Sequence, residues 1–401
     1  MRFRVSLALA LFSGAAVAGG GPDLDAFRTL FRESLEKYGV IGGSFALVSR
    51  QHVIDQENFG YANRELGQKA GADTTYHWGS VTKTFTGIAI MQLRDRGLLK
   101  LDDPVVKYVP ELRAVHDPFG AIDAVTIRQL MSHSAGFRSP TWPWGPDQPS
   151  HAGQAWVPFE PTKWTQVAAM LPYTEILFPP GTRHSYSNLG VVFLGQIIER
   201  LSGDDYEVYI DKNIFKPLEM HASYFDRSPY FLLPHRAQGY FLEGGKVTPA
   251  PFNFDSGITV SNGGLNSPIA DMVKYLSFLA GGPSRKEIYD QVLKRSSLDE
   301  MWTRQLPLKS TDPSQGAPSP GTDWVGLSFF LHEDHDHLYA GHGGQQGGFI
   351  SHIFVDPARQ SGYAIAFNTD STAEAPNTQT LDREIEDYLF AHVFPRLGGE
   401  P

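Results

Sequence analysis

Strand-like segments stand at both ends of this chain, with helix-like segments and long loops between them. Near the start, "GGSFALVSR" and "HVIDQENFGYAN" read as two strands of a hairpin. Near the end, "WVGLSFFLH", "HLYAGHG", "GFISHIFVDP" and "GYAIAFNTD" read as four strand runs. "DLDAFRTLFRESLEKYGV" spaces Leu24, Phe27, Leu30, Phe31 and Leu35 as a helix does, and "LDREIEDYLFAHVF" reads as a closing helix. The residues from Ser80 to Leu93 are nearly all apolar or small, as for a helix buried on most sides, with Gly97 placed to end it. "LGVVFLGQIIERLSG" and "IADMVKYLSFLA" read as two more buried helices. This order predicts an α/β fold of the α+β type, with an antiparallel sheet assembled from both ends of the chain. The sheet lobe is expected over about 24–100 and 320–400, and a helical and loop lobe over about 101–319.

The first 18 residues read as a signal peptide. Arg2 and Arg4 are basic, "VSLALALFSGAAVA" is apolar but short, and Ala16–Ala18 fits a cleavage site. A buried N-terminal helix is the alternative. Export is the expectation, to the periplasm or beyond, with one domain over 19–401. There are no cysteines, which excludes disulfides, thiolate metal sites and a cysteine nucleophile. A net charge of -10 argues against a nucleic-acid partner. No second apolar run is long enough to span a membrane.

Three stretches carry chemistry. In "HWGSVTK", Ser80 and Lys83 stand three apart and share a helix face. An amine beside a serine hydroxyl eases formation of the alkoxide, and a neutral lysine accepts the proton. "SLEK" at Ser34–Lys37 has the same spacing, but on an amphipathic, charged helix. In "HSYSNLG", Tyr186 and Asn188 stand two apart before a helix. A tyrosine beside a lysine has its phenol pKa lowered and can act as a base, and an asparagine can hold a substrate or a lysine. "YAN" at Tyr61–Asn63 repeats that form at a hairpin end. The third stretch, "LYAGHGGQQGGF", is glycine-rich but feeds a strand and has no lysine, so it is not a phosphate loop. It reads as a strand whose backbone approaches a substrate closely. His332, Asp334, His335, Asp336 and His337 just before it could ligate a metal, but a solvated hairpin turn has the same composition. No metal or cofactor is expected.

In this order, "SVTK", "YSN" and "HGG" resemble the three-motif signature of serine β-lactamases and penicillin-binding proteins, in the class C β-lactamase-like branch with its esterases, D-stereospecific aminopeptidases and DD-peptidases. "RQLMSHSAGF", "FPPGTRHSYSNLGVVFLGQIIERLSG", "NGGLNSPIADMVKYL" and "GHGGQQGGF" resemble that branch too, so the likeness runs from about 24 to 394. The resemblance implies Ser80 as nucleophile and Lys83 with Tyr186 as general base. It implies Asn188 as a substrate-positioning group, and His342, Gly343 and Gly344 as the third wall. It also implies an oxyanion hole from the N–H groups of Ser80 and Gln345, and it makes His133 structural rather than a triad member. The third motif departs from the lysine- and threonine-bearing pattern. With His342 and Gly343 there, a substrate carboxylate is held poorly, which favours esters or D-amino-acid amides over antibiotics. The tryptophan-rich stretch from Trp142 to Trp164 could line an apolar acyl pocket. A carboxylesterase is the favoured expectation. A D-aminopeptidase, a DD-peptidase or a weak β-lactamase stands within the same mechanism. A non-catalytic peptidoglycan- or partner-binding protein, or a metallohydrolase, stands outside it.

Overall fold

The computed structural model describes residues 23–397, except 121, 142–160, 251–255, 309–321, 335–336 and 372–377. Its centre is a nine-stranded sheet in which each neighbouring pair is antiparallel. The spatial order is Gln68–Lys69, His52–Asn63, Gly42–Ser49, Ser361–Phe367, Phe349–Asp356, His337–Gln346, Phe330–Asp334, Thr322–Val325 and Leu306–Pro307. Both ends of the chain meet at its middle, where Phe45 pairs with Ile365.

Alternation along these strands builds two cores, because successive side chains point to opposite faces. Phe45, Leu47, Tyr363, Ile365 and Phe367 face one way. They bury Phe27, Phe31 and Leu35 of the helix Leu24–Lys37 and Leu381 and Ile385 of the helix Thr378–Tyr388. Asp23 caps the first of these helices by accepting the Ala26 N–H at 2.9 Å. Ala46, Val48, Ala340, Ile353, Ala364 and Ala366 face the other way, into a larger core. Small side chains on that face let helix Ile269–Ala280 pack close to the strands, with Met272, Leu276 and Leu279 fully buried. Each large apolar side chain buried in this way contributes roughly 1.5–3 kcal/mol.

Helix Thr82–Asp95 is buried from Thr82 to Leu93, as its composition predicts. It stops where predicted: Gly97 takes φ +76, and the Leu98 N–H returns to the Leu93 carbonyl at 3.0 Å. Helix Asn188–Ser202 is capped by Ser187 and ends at Gly203, with φ +75. One expectation is corrected. "WVGLSFFLH" is not one strand but a hairpin, with Thr322–Val325 paired to Phe330–Asp334. The chain reverses between them, where Ser328 takes φ +61, a backbone state that apolar periodicity does not announce. Among the described residues no helix is long and apolar enough to cross a membrane.

Candidate active site

Ser80 stands in the turn between strand Thr75–Gly79 and helix Thr82–Asp95. Gly79 takes φ +47 and so turns the chain without the strain a side chain would bring. Lys83 lies one helical turn on, and its Nζ is 2.8 Å from Ser80 Oγ. Tyr186 Oη donates to the same Ser80 Oγ, also at 2.8 Å. Lys83 Nζ donates in addition to the carbonyl oxygen of Asn262 at 2.7 Å. It lies 4.9 Å from the centre of the Tyr186 ring. Tyr186 thus reaches across 106 residues to the hydroxyl that Lys83 also contacts.

Burial governs the proton positions. Lys83 is 1% exposed, and among the described residues no carboxylate pairs with it. Desolvation therefore holds its pKa well below the ordinary lysine value and favours the neutral amine. Burial pushes the Tyr186 phenol well above its ordinary value, against the weaker opposing pull of its hydrogen bond to Ser80. This corrects the expectation of a lowered phenol, since losing water outweighs having an amine nearby. The Tyr186 phenol thus keeps its proton and points it at Ser80 Oγ, and burial leaves the Lys83 amine with a weakened hold on its own.

Strand His337–Gln346 forms the opposite wall. A Cβ on Gly344 would lie 2.1 Å from the Trp78 carbonyl oxygen, so this strand can approach the Ser80 turn only as glycine. The backbone nitrogen of Gln345 comes within 3.2 Å of the place a Cβ on Gly79 would take. The Gln345 amide therefore lies beside the turn that carries Ser80. The Gln345 side chain donates to Asp370 Oδ2 at 2.9 Å.

His342 is 2% exposed and packs on Phe330, ring centroids 4.8 Å apart. Its Nδ1 is 2.6 Å from the Gly343 carbonyl, and its Nε2 has no hydrogen-bond partner among the described residues. Burial, with the Lys83 amine adding to it, lowers its pKa to about 3, so the ring is neutral. Gly343 turns to the other face of the strand. A Cβ there would stand 2.5 Å from His352 Nε2, so packing accounts for the missing side chain. His352 Nδ1 pairs with Asp382 of the C-terminal helix at 2.7 Å. Burial opposes its charge, but Asp382 and Glu386 outweigh that and raise its pKa to about 9.

Asn188 opens its helix and gives its backbone N–H to Ser139 O at 2.9 Å. Its side chain is half-buried and has no hydrogen bond to a described residue, so it does not hold Lys83. The carbonyl of Asn262 does. Sequence reasoning missed that contact because any residue type supplies a carbonyl, although "NGGL" was the place to look.

The two repeated patterns separate cleanly. The Lys37 side chain is 58% exposed and pairs with Glu384. Asn63 Oδ1 accepts the Leu66 N–H in a hairpin turn. The described members of the His and Asp cluster lie on two paired antiparallel strands, with Asp334 opposite His337. His332 pairs with Asp323 at 2.7 Å and His337 with Asp356 at 3.1 Å. His335 and Asp336 lie outside the described residues, and no group that could hold a metal occurs among the rest. Most of the tryptophan-rich stretch also lies outside them. Trp164 is half-buried and donates to Glu111 at 3.1 Å.

A family model described as Beta-lactamase matches residues 27–387. Protein flp of Staphylococcus aureus (strain COL) is 26% identical over 360 residues, 90% of this chain and 66% of that one. The chain thus spans just under two thirds of that relative's length. The octameric penicillin-binding protein homologue from Pyrococcus abyssi superposes with a TM-score of 0.75 at 29% identity, over 92% of this chain and 77% of that chain. The D-amino acid amidase from Ochrobactrum anthropi SV3 shares the fold, with a TM-score of 0.71 at 20% identity, over 92% of this chain and 97% of that chain.

Proposed function

The chain belongs to the beta-lactamase family of serine hydrolases, and from that premise we propose that it is a carboxylesterase working through an acyl-enzyme on Ser80. The neutral Lys83 amine takes the Ser80 proton as Oγ bonds to the ester carbonyl carbon. The carbonyl oxygen gains the negative charge between the Ser80 and Gln345 N–H groups. One such donor is worth roughly 3–4 kcal/mol in the transition state. As the alcohol leaves, the Tyr186 phenol protonates it and recovers a proton from Lys83. Water then attacks the acyl group by the same relay in reverse, releasing the acid and Ser80. Asn188, whose side chain makes no hydrogen bond to a described residue, is the group proposed to orient the acyl part.

The preference for substrates without a carboxylate, with esters put first among them, rests on His342. The third wall offers a buried, neutral imidazole packed on Phe330 where a substrate carboxylate would need a cation. Neither an ester nor a D-amino-acid amide asks for such a cation, and the substrate panel below separates the two. We also propose export with cleavage before Gly19, supported by the basic and apolar N-terminal pattern. N-terminal sequencing of the mature protein tests it, and a chain that retains Arg2 and Arg4 would count against it.

The activity test is a panel of p-nitrophenyl acetate, p-nitrophenyl butyrate, a D-amino-acid anilide and nitrocefin, run with and without EDTA. The butyrate or acetate ester is expected to give the highest kcat/KM, EDTA to change nothing, and Ser80→Ala to be inactive. A higher kcat/KM on the anilide or nitrocefin overturns the ester preference. Turnover by Ser80→Ala, or loss with EDTA, overturns the mechanism.

A further inference from the structure

We propose that His133 is a positioning residue that holds Tyr186 in register with Ser80, gripping the backbone on both sides of the tyrosine and packing on its ring. The proposal rests on the proton-donor role given to Tyr186 above. His133 O accepts the N–H of Ser185 at 2.8 Å. His133 Nδ1 accepts the N–H of Ser187 at 3.2 Å. Ser185 and Ser187 are the immediate neighbours of Tyr186, and the two rings lie 4.6 Å apart between centroids.

The grip has a firm root. His133 follows helix Ile127–Met131, whose start is closed by reciprocal hydrogen bonds between Thr126 and Gln129. Ser134 returns its N–H to the Gln129 carbonyl at 2.8 Å. Further along the same loop, Arg138 O accepts the Ser187 hydroxyl at 2.7 Å, and Ser139 O accepts the Asn188 N–H. The tyrosine segment is therefore laced along this loop, and His133 is the point at which a side chain does the holding.

The backbone at His133 argues for its side chain. It takes φ +51, where a residue with a Cβ is strained and glycine is not. A chain that needed only the turn would be better served by glycine. A bare Nδ1 must face Ser187 for the bond to exist, so the ring carries its proton on Nε2. Burial, then His184 and Lys83, lowers its pKa well below the ordinary value, which keeps Nδ1 bare.

The test uses the full chain and four variants assayed on p-nitrophenyl butyrate. His133→Gly relieves the backbone but removes the acceptor and the ring. It is expected to lower kcat about 30- to 100-fold with KM within about twofold, the scale of a misplaced catalytic group. His133→Asn tolerates this φ and offers an oxygen near the Nδ1 position, so it is expected to recover to within about fivefold of wild type. In a Tyr186→Phe background the His133→Gly loss is expected to vanish, because the group it positions is gone. Circular dichroism confirms that each variant is folded. Near-wild-type kcat in His133→Gly, equal losses in the Gly and Asn variants, or full additivity with Tyr186→Phe would each overturn the proposal. If Tyr186→Phe alone kept its full rate, the role of Tyr186 would fall first and this inference with it.

Discussion

Replacing Gly344 with alanine tests the site geometry directly. The new Cβ would stand 2.1 Å from Trp78 O and 2.6 Å from Ser351 Oγ. Side-chain carbons do not sit closer than about 3 Å to backbone oxygen, so strand and turn must part by about 1 Å. Ser351 Oγ bonds to Trp78 O at 3.0 Å, which leaves that oxygen no room to give way alone. The Gln345 amide is the next residue along the strand. A displacement of about 1 Å there costs on the order of 100-fold in rate. Overpacking of this kind lowers stability by about 1–3 kcal/mol. Gly344→Ala is therefore expected to cut kcat on p-nitrophenyl butyrate about 100-fold with a smaller change in KM, and to melt a few degrees lower. Wild-type kcat in a variant that melts at the wild-type temperature would refute the reasoning, since the strand would then not need to lie this close.

Two further predictions concern charge. Lys83 binds its proton more weakly folded than unfolded, so folding must release that proton below the ordinary value of 10.5, and stability is lost as pH falls from there toward the depressed value. Lys83→Met is expected to lose about 10²–10⁴-fold in rate yet melt above wild type at pH 7, with the gap narrowing toward pH 10. A gap that does not change with pH would contradict a buried neutral amine. His352 has the opposite sign. Its raised pKa means that pairing with Asp382 stabilises fully below 6.5 and is lost as pH rises through about 9. Asp382→Asn is expected to melt well below wild type at pH 6 and to converge with it above pH 9, whereas an equal deficit at both would refute the pairing.

Much of this was legible in residue order. The i, i+3 spacing of Ser80 and Lys83, the apolar run behind them and the strand patterns at both ends follow from local periodicity, and the structure keeps them. Elsewhere the deciding terms were not local. The phenol of Tyr186 rises because of burial by distant segments, which no spacing reveals. The Asn262 carbonyl reaches Lys83 across 179 residues and leaves no side-chain signature. Gly343 reads as a lost hydroxyl until His352, on the neighbouring strand, is seen in the space a side chain would need. His133 reads as structural, and its two bonds to the tyrosine segment appear only once helix Ile127–Met131 is placed beside it.

The pairing of Gly42–Ser49 with Ser361–Phe367 has a consequence for synthesis. Until Ser361–Phe367 has been made, the early hairpin lacks its inner neighbour and presents an apolar, unsatisfied edge. Contacts of such long sequence separation form slowly. Ser80 therefore cannot meet its opposite wall before His337–Gln346 and the strands that seat it have been made, so the nascent chain stays catalytically silent until they arrive.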